Sequence, residues 1–211
     1  KRMVLALPPL LGLSVVDNVA PTLAWLQTRL DLDDSGLRKL VMSFPNLLAL
    51  SVEDNLAPKL DWLQTRLCLD EAELKKMVLR LPAVLGCSVE DNMAPKLDWL
   101  QTRLDLDDAG LRKMVVAFPP LLGLKVEANV EPKFDWLQRR LGLDDAGLRK
   151  MVLVSPPLLG YSIENNMEPK LCFFEEELGL SLSRVRASIV SAPSRLGLSL
   201  KTRYRPRLEV C

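Results

Sequence analysis

The apolar positions of DDAGLRKMVVAFP (107–119) fall at Leu111, Met114, Val115 and Phe118. Steps of three and four predict a helix with one buried stripe. Asp107 and Asp108 stand where an N-cap and a charge favourable to the helix dipole belong. Pro119 ends the helix. The next stretch, PLLGLKVEA (120–128), is apolar but too short for a full helix and predicts a compact connector. Asn129 then caps a second helix with Pro132 in its first turn, where proline is tolerated. Phe134, Leu137 and Leu141 line the buried side of that helix. No segment alternates with period two, so no strand is expected.

The same pattern returns at a fixed step of 37 residues. Pro8, Pro45, Pro82, Pro119, Pro156 and Pro193 keep it, and so do Pro21, Pro58, Pro95, Pro132, Pro169 and Pro206. Trp25, Trp62, Trp99 and Trp136 follow, with Phe173 next, alongside Asn18, Asn55, Asn92, Asn129 and Asn166. APKLDWLQTRL occurs twice, at 57–67 and 94–104. A fixed period between about 20 and 50 residues marks a repeat array. The expected fold is an all-α solenoid of about six units over residues 1–211, the first and last incomplete, each unit burying its face against the next.

Composition narrows the function. The 28 Lys and Arg nearly balance the 27 Asp and Glu, for a net charge of +1. Attraction to nucleic acid must therefore come from how charges are arranged. Histidine is absent, which removes the usual general base and the commonest metal ligand. With no Gly-rich phosphate loop, metal constellation or nucleophile beside a base, the chain reads as no enzyme, without metal or cofactor. Cys68, Cys87, Cys172 and Cys211 lack metal-type spacing and read as free thiols, mostly buried. No apolar run reaches the length of a membrane span. The chain opens at Lys1 without Met or an Arg/Ser-rich leader and reads as an internal fragment.

Aligning the repeats turns charges into columns. The first is Lys1, Arg38, Lys75, Arg112, Arg149 and Arg186. Asp34, Glu71, Asp108 and Asp145 precede its members by four, which predicts helix pairs within each unit. The second is Arg2, Lys39, Lys76, Lys113 and Lys150, expected to be solvated. The third runs from Thr22 through Lys59, Lys96, Lys133 and Lys170 to Arg207; the fourth is Arg29, Arg66, Arg103 and Arg140. Lys59 has no acid four residues away, and Arg66 has none four residues before it. They flank the stripe of Leu56, Leu60, Leu63 and Leu67, with Trp62 between them. The third and fourth columns are thus the expected phosphate contacts. Trp62, Trp99 and Trp136 either pack between repeats or stack on bases. In the last unit Arg203, Arg205 and Arg207 surround Tyr204: either a solvated end or extra phosphate contacts.

Leu-Arg-Lys-Met-Val (111–115), Pro-Pro-Leu-Leu-Gly (119–123), Val-Glu-x-Asn (126–129) and Pro-Lys-Phe-Asp-Trp-Leu (132–137) recur in register. The order resembles the motif of the mitochondrial transcription termination factor (mTERF) family along the whole chain. The resemblance implies a left-handed, curved helical array in mitochondria or chloroplasts. It also implies binding of double-stranded DNA or RNA, in transcription termination, its regulation, or RNA processing. The expected state is a monomer off the membrane. A solenoid also presents a long surface to proteins, so a protein-binding scaffold is the other reading.

Overall fold

The computed structural model describes residues 14–208, with side chains as far as Pro206. Lys1, Arg2, Pro8, Cys211 and the side chain of Arg207 lie outside the described residues. The chain forms two compact units, residues 1–99 and 100–211. The first holds α1 (Ala20–Arg29), α2 (Asp34–Ser43), α3 (Ala57–Arg66) and α4 (Glu71–Arg80). α5 (Ala94–Arg103) crosses the division. The second holds α6 (Asp108–Ala117), α7 (Glu131–Leu141), α8 (Asp145–Val154), α9 (Glu168–Cys172), α10 (Leu182–Ser191) and α11 (Arg205–Leu208). Among the described residues there is no strand. The all-α repeat fold is as expected.

The first helix of each repeat starts as its acids predict. Asp33, Asp107 and Asp144 each accept a hydrogen bond from the backbone N–H three residues on, at 2.7 Å. Asp70 does so within a reciprocal capping box with Glu73, which satisfies two otherwise orphaned donors. Each first helix ends at a proline that opens a tight 3-10 turn: Pro45–Ala49, Pro82–Gly86, Pro119–Gly123, Pro156–Gly160 and Pro193–Gly197. Within each unit these turns stack on one another, as do α2 on α4 and α6 on α8.

The second helix starts earlier than the Asn column predicts. Its cap is Ser51, whose hydroxyl accepts from Asp54 N–H at 3.0 Å; Ser14, Ser88, Ser162 and Ser199 do the same. A wide first turn, Val52–Leu56, then runs directly into α3. The asparagine therefore lies inside the helix, one turn before the lysine column, and its side chain is free for another partner. Before α7, Lys125 holds the serine position and gives no side-chain cap.

The second helix ends in left-handed backbone at Asp31, Cys68, Asp105, Gly142 or Gly179. Gly142 and Gly179 adopt this without the steric penalty a Cβ brings. Cys68 is exposed there, and Cys87 and Cys172 are half-buried, so the thiols are less buried than expected.

The predicted stripes form the core. Leu56, Leu60 and Leu63 of the second helix are fully buried, as are Leu111, Met114 and Val115 of the first and Phe134 and Leu137. Each such side chain contributes about 1.5–3 kcal/mol by leaving water. Where the first helix ends in phenylalanine, the facing turn must be small. A Cβ on Gly86 would lie 2.6 Å from the Phe44 ring, and one on Gly160 2.6 Å from Phe118, whereas Gly123 faces open space. Gly86→Ala and Gly160→Ala are therefore expected to cost about 1–3 kcal/mol by overpacking. Gly123→Ala is expected to be neutral or slightly stabilising, because it only restricts the unfolded chain. Urea unfolding of the three variants measures the contrast.

Candidate nucleic-acid interface

The lysine column does not face solvent. Lys59, Lys96, Lys133 and Lys170 are only 4–8% exposed. Lys59 Nζ donates to Asn55 Oδ1 at 2.8 Å and to the backbone carbonyl of Leu85 in the following repeat. Lys133 donates to the Leu159 carbonyl at 2.7 Å. Lys170 donates to Asn166 Oδ1 at 2.6 Å and to the Leu196 carbonyl. Lys96 donates to Asn92 Oδ1 at 2.7 Å. Burial pushes the ammonium groups of Lys59, Lys133 and Lys170 below their ordinary pKa, because it disfavours the charged form. The expectation that these lysines lack a partner is corrected. Lys59, Lys133 and Lys170 are clamps from one repeat to the next, and for Lys59, Lys96 and Lys170 the partner four residues earlier is an amide oxygen rather than an acid.

The arginine column is likewise partnered, across repeats. Arg29 meets Asp61 at 3.1 Å, Glu71 at 2.7 Å and Gln64 at 2.7 Å. Arg66 pairs with Asp98 at 2.9 Å. Arg103 pairs with Asp145 and Gln138, both at 2.9 Å. Arg140 holds Glu168 at 2.9 Å and both oxygens of Glu175, at 3.0 and 2.8 Å. The Glu175 bonds are the largest influence on Arg140 and raise its pKa against the lowering by burial, with Glu168 adding to the rise. Bonds from Gln64 and Arg29 hold the Glu71 carboxyl below its ordinary pKa, and bonds from Arg103 and Gln138 do so for Asp145.

These pairings reassign the acids. Glu71 and Asp145 serve the arginine of the second helix before last, Arg29 and Arg103, not the cation four residues ahead. Lys75 reaches back to the carbonyl and carboxylate of Asp31. Arg149 reaches Asp105 at 2.6 Å, and Arg186 the Arg140 carbonyl at 3.1 Å. The first column thus places a cation at the C-terminal end of an earlier helix, where the dipole favours it.

The tryptophans are half-buried. Trp136 donates its indole N–H to Glu168 at 2.9 Å, a packing contact between repeats. Trp62 lines a crevice of about 470 Å³ with Asp54, Lys59, Cys87 and Glu90. At the C-terminal end Arg205 pairs with Glu177 at 2.7 Å. Tyr204 donates to the Arg195 carbonyl at 2.9 Å and packs on Phe174. Lys201 and Arg203 are exposed.

One repeating column stays in water. Lys39, Lys76, Lys113 and Lys150, on α2, α4, α6 and α8, are all exposed. None has an ion pair or side-chain hydrogen bond among the described residues. Their positions in the sequence predict solvated side chains and no role. The signal available was the Ser or Ala four residues before each, which leaves them no local partner.

Among the described residues no cluster of His, Cys, Asp or Glu could hold a metal ion, and no helix is long and apolar enough to cross a membrane. The mTERF family profile matches residues 3–211. The chain belongs to the mTERF family. Comparison with curated proteins gives no match. Membership of the mTERF family points to an organellar, nucleic-acid-binding helical-repeat protein without enzymatic activity. In this mTERF chain, the two columns with the most regular spacing beside the aromatic stripe are spent on joining repeats.

Proposed function

We propose that this chain binds duplex DNA or RNA in mitochondrial or chloroplast gene expression, in transcription termination, its regulation or RNA processing. The observation that supports this reading is the solvated lysine of each first helix. Lys39 and Lys76 belong to packed neighbours α2 and α4, and Lys113 and Lys150 to α6 and α8. Solvated, unpaired ammonium groups at a repeated position release counterions from a phosphate backbone without breaking an internal bond. Arg29, Arg66, Arg103 and Arg140 would have to give up inter-repeat carboxylates, and the buried lysines would have to leave the core. Contacts of this kind set register rather than read sequence. Lys201 and Arg203 extend the same chemistry in the last repeat.

The test is fluorescence anisotropy with duplex DNA and single-stranded and duplex RNA over a salt series. The fourfold variant Lys39→Gln, Lys76→Gln, Lys113→Gln, Lys150→Gln is expected to fold normally, bind more weakly and lose about 3–4 from the slope of log affinity against log salt. An unchanged slope with unchanged affinity removes the assignment. A protein-binding scaffold is the second reading, favoured by Met42 and Val154, which are 48% and 62% exposed on the same helices as Lys39 and Lys150. On that reading no nucleic acid is retained at moderate salt.

A further inference from the structure

We infer that the first unit carries a site for a monovalent cation of potassium or ammonium size, over Thr22. The lysine clamp defines what this place in the repeat holds. Lys170 sits between the amide oxygen of Asn166 and the carbonyl of Leu196, and Lys59 between those of Asn55 and Leu85. One period earlier the three positions are Thr22, Asn18 and Leu48. The oxygen-bearing residues remain and the ammonium is gone.

Asn18, Thr22 and Leu48 line one cavity of about 280 Å³. Thr22 is only 5% exposed, and its hydroxyl has no hydrogen-bond partner among the described residues. The side chain is packed over most of its surface and borders a polar space. The charge balance points the same way. Asp17 and Glu53 also line the cavity, and no Lys or Arg does. In the crevice of Lys59 the ammonium offsets the corresponding Asp54 and Glu90.

The donor set selects the ion class. Amide, hydroxyl and backbone carbonyl oxygens are neutral ligands of the kind that replace the hydration shell of potassium. Ammonium reproduces the head group of the missing lysine, with N–H donors for the same acceptors. A divalent ion would want charged carboxylates in its first shell. Asp17 and Glu53 are exposed, and Asp17 is already bonded by the Ser14 hydroxyl at 2.6 Å.

The experiment is thermal unfolding of the full chain at constant ionic strength in potassium, ammonium, sodium or tetramethylammonium chloride. Potassium and ammonium are expected to raise the Tm by about 2–4 °C over tetramethylammonium, which is too large to enter. Thr22→Lys builds the clamp from within; it is expected to melt higher than the wild type and to lose the ion-specific shift. Asn18→Ala removes one oxygen without adding a charge, and is expected to fold and to lose most of the shift. An equal shift in Thr22→Lys and wild type would mark a general salt effect and overturn the site. So would the same Tm in potassium, ammonium and tetramethylammonium for the wild type. Should Thr22→Lys fail to fold, Asn18→Ala decides alone: a full shift in that variant overturns the proposal.

Discussion

Lys133→Ala is expected to lower the free energy of unfolding by about 2–4 kcal/mol, as measured by urea denaturation. Two losses combine. The Leu159 carbonyl, which accepts from Lys133 Nζ at 2.7 Å, is left buried without its donor. The four-carbon stem also leaves a gap in a packed layer. Against them stands one gain, because a charge no longer has to be held away from water. Lys133→Met separates the three effects. It keeps the stem volume and removes the charge, so its cost is expected to be less than half that of alanine. Lys133→Glu sets a carboxylate against a carbonyl oxygen and is expected to cost more than about 4 kcal/mol. The order methionine, alanine, glutamate distinguishes a buried clamp from a solvated lysine, for which all three changes would stay near zero.

The same clamp has a pH signature. Burial holds the Lys133 pKa below its ordinary 10.5. For a depressed folded pKa, the stabilising contribution is present above the unfolded value and lost as pH falls through the folded one. Wild-type stability is therefore expected to climb as pH rises toward 10.5, and Lys133→Met is expected to show a smaller climb over that window.

The helices, their caps and the buried leucines were legible because each depends on local spacing. Asp107 three residues before Gly110, or Leu56, Leu60 and Leu63 on one stripe, can be read without knowing what lies across the fold. The charged columns were not legible in the same way. Lys59 looked unpartnered because an acid was sought four residues away, while the partner four residues away was Asn55. The other acceptor is a backbone carbonyl 26 residues on, and a backbone carbonyl carries no residue-type signal. Arg66 looked free because its acid belongs to the next copy of its own helix. A repeat array hides such pairs: an acid that looks like the intrahelical partner of one cation serves the cation of another repeat. Lys39, Lys76, Lys113 and Lys150, set aside as merely solvated, form the repeating column that stays in water.

Glu175→Gln is expected to cost about 1–2 kcal/mol, and Leu182→Asp is expected to recover at least half of that in the double variant. Arg29 and Arg103 set the pattern for this column. Each meets a neutral glutamine in the next second helix and an acid at the start of the first helix that follows: Gln64 with Glu71, and Gln138 with Asp145. For Arg140 the matching positions are Glu175 and Leu182. The negative charge has moved from the second position to the first. Glu175 takes both guanidinium contacts, and Leu182, 42% exposed, has no charge to offer. If the two positions exchange one carboxylate, removing it from 175 is costly only while 182 is apolar. Leu182→Asp alone adds a favourable charge at a helix N-terminus but no needed partner, so it is expected to change stability by less than about 0.5 kcal/mol. Arg140→Ala leaves Glu168 and Glu175 facing each other and is expected to cost about 2–3 kcal/mol at pH 7. That cost is expected to shrink in Glu175→Gln, where the repulsion is gone. Strict additivity among Arg140, Glu175 and Leu182 would instead mean that the three do not share one ion pair, and that the column's sign is retained for a partner outside the chain.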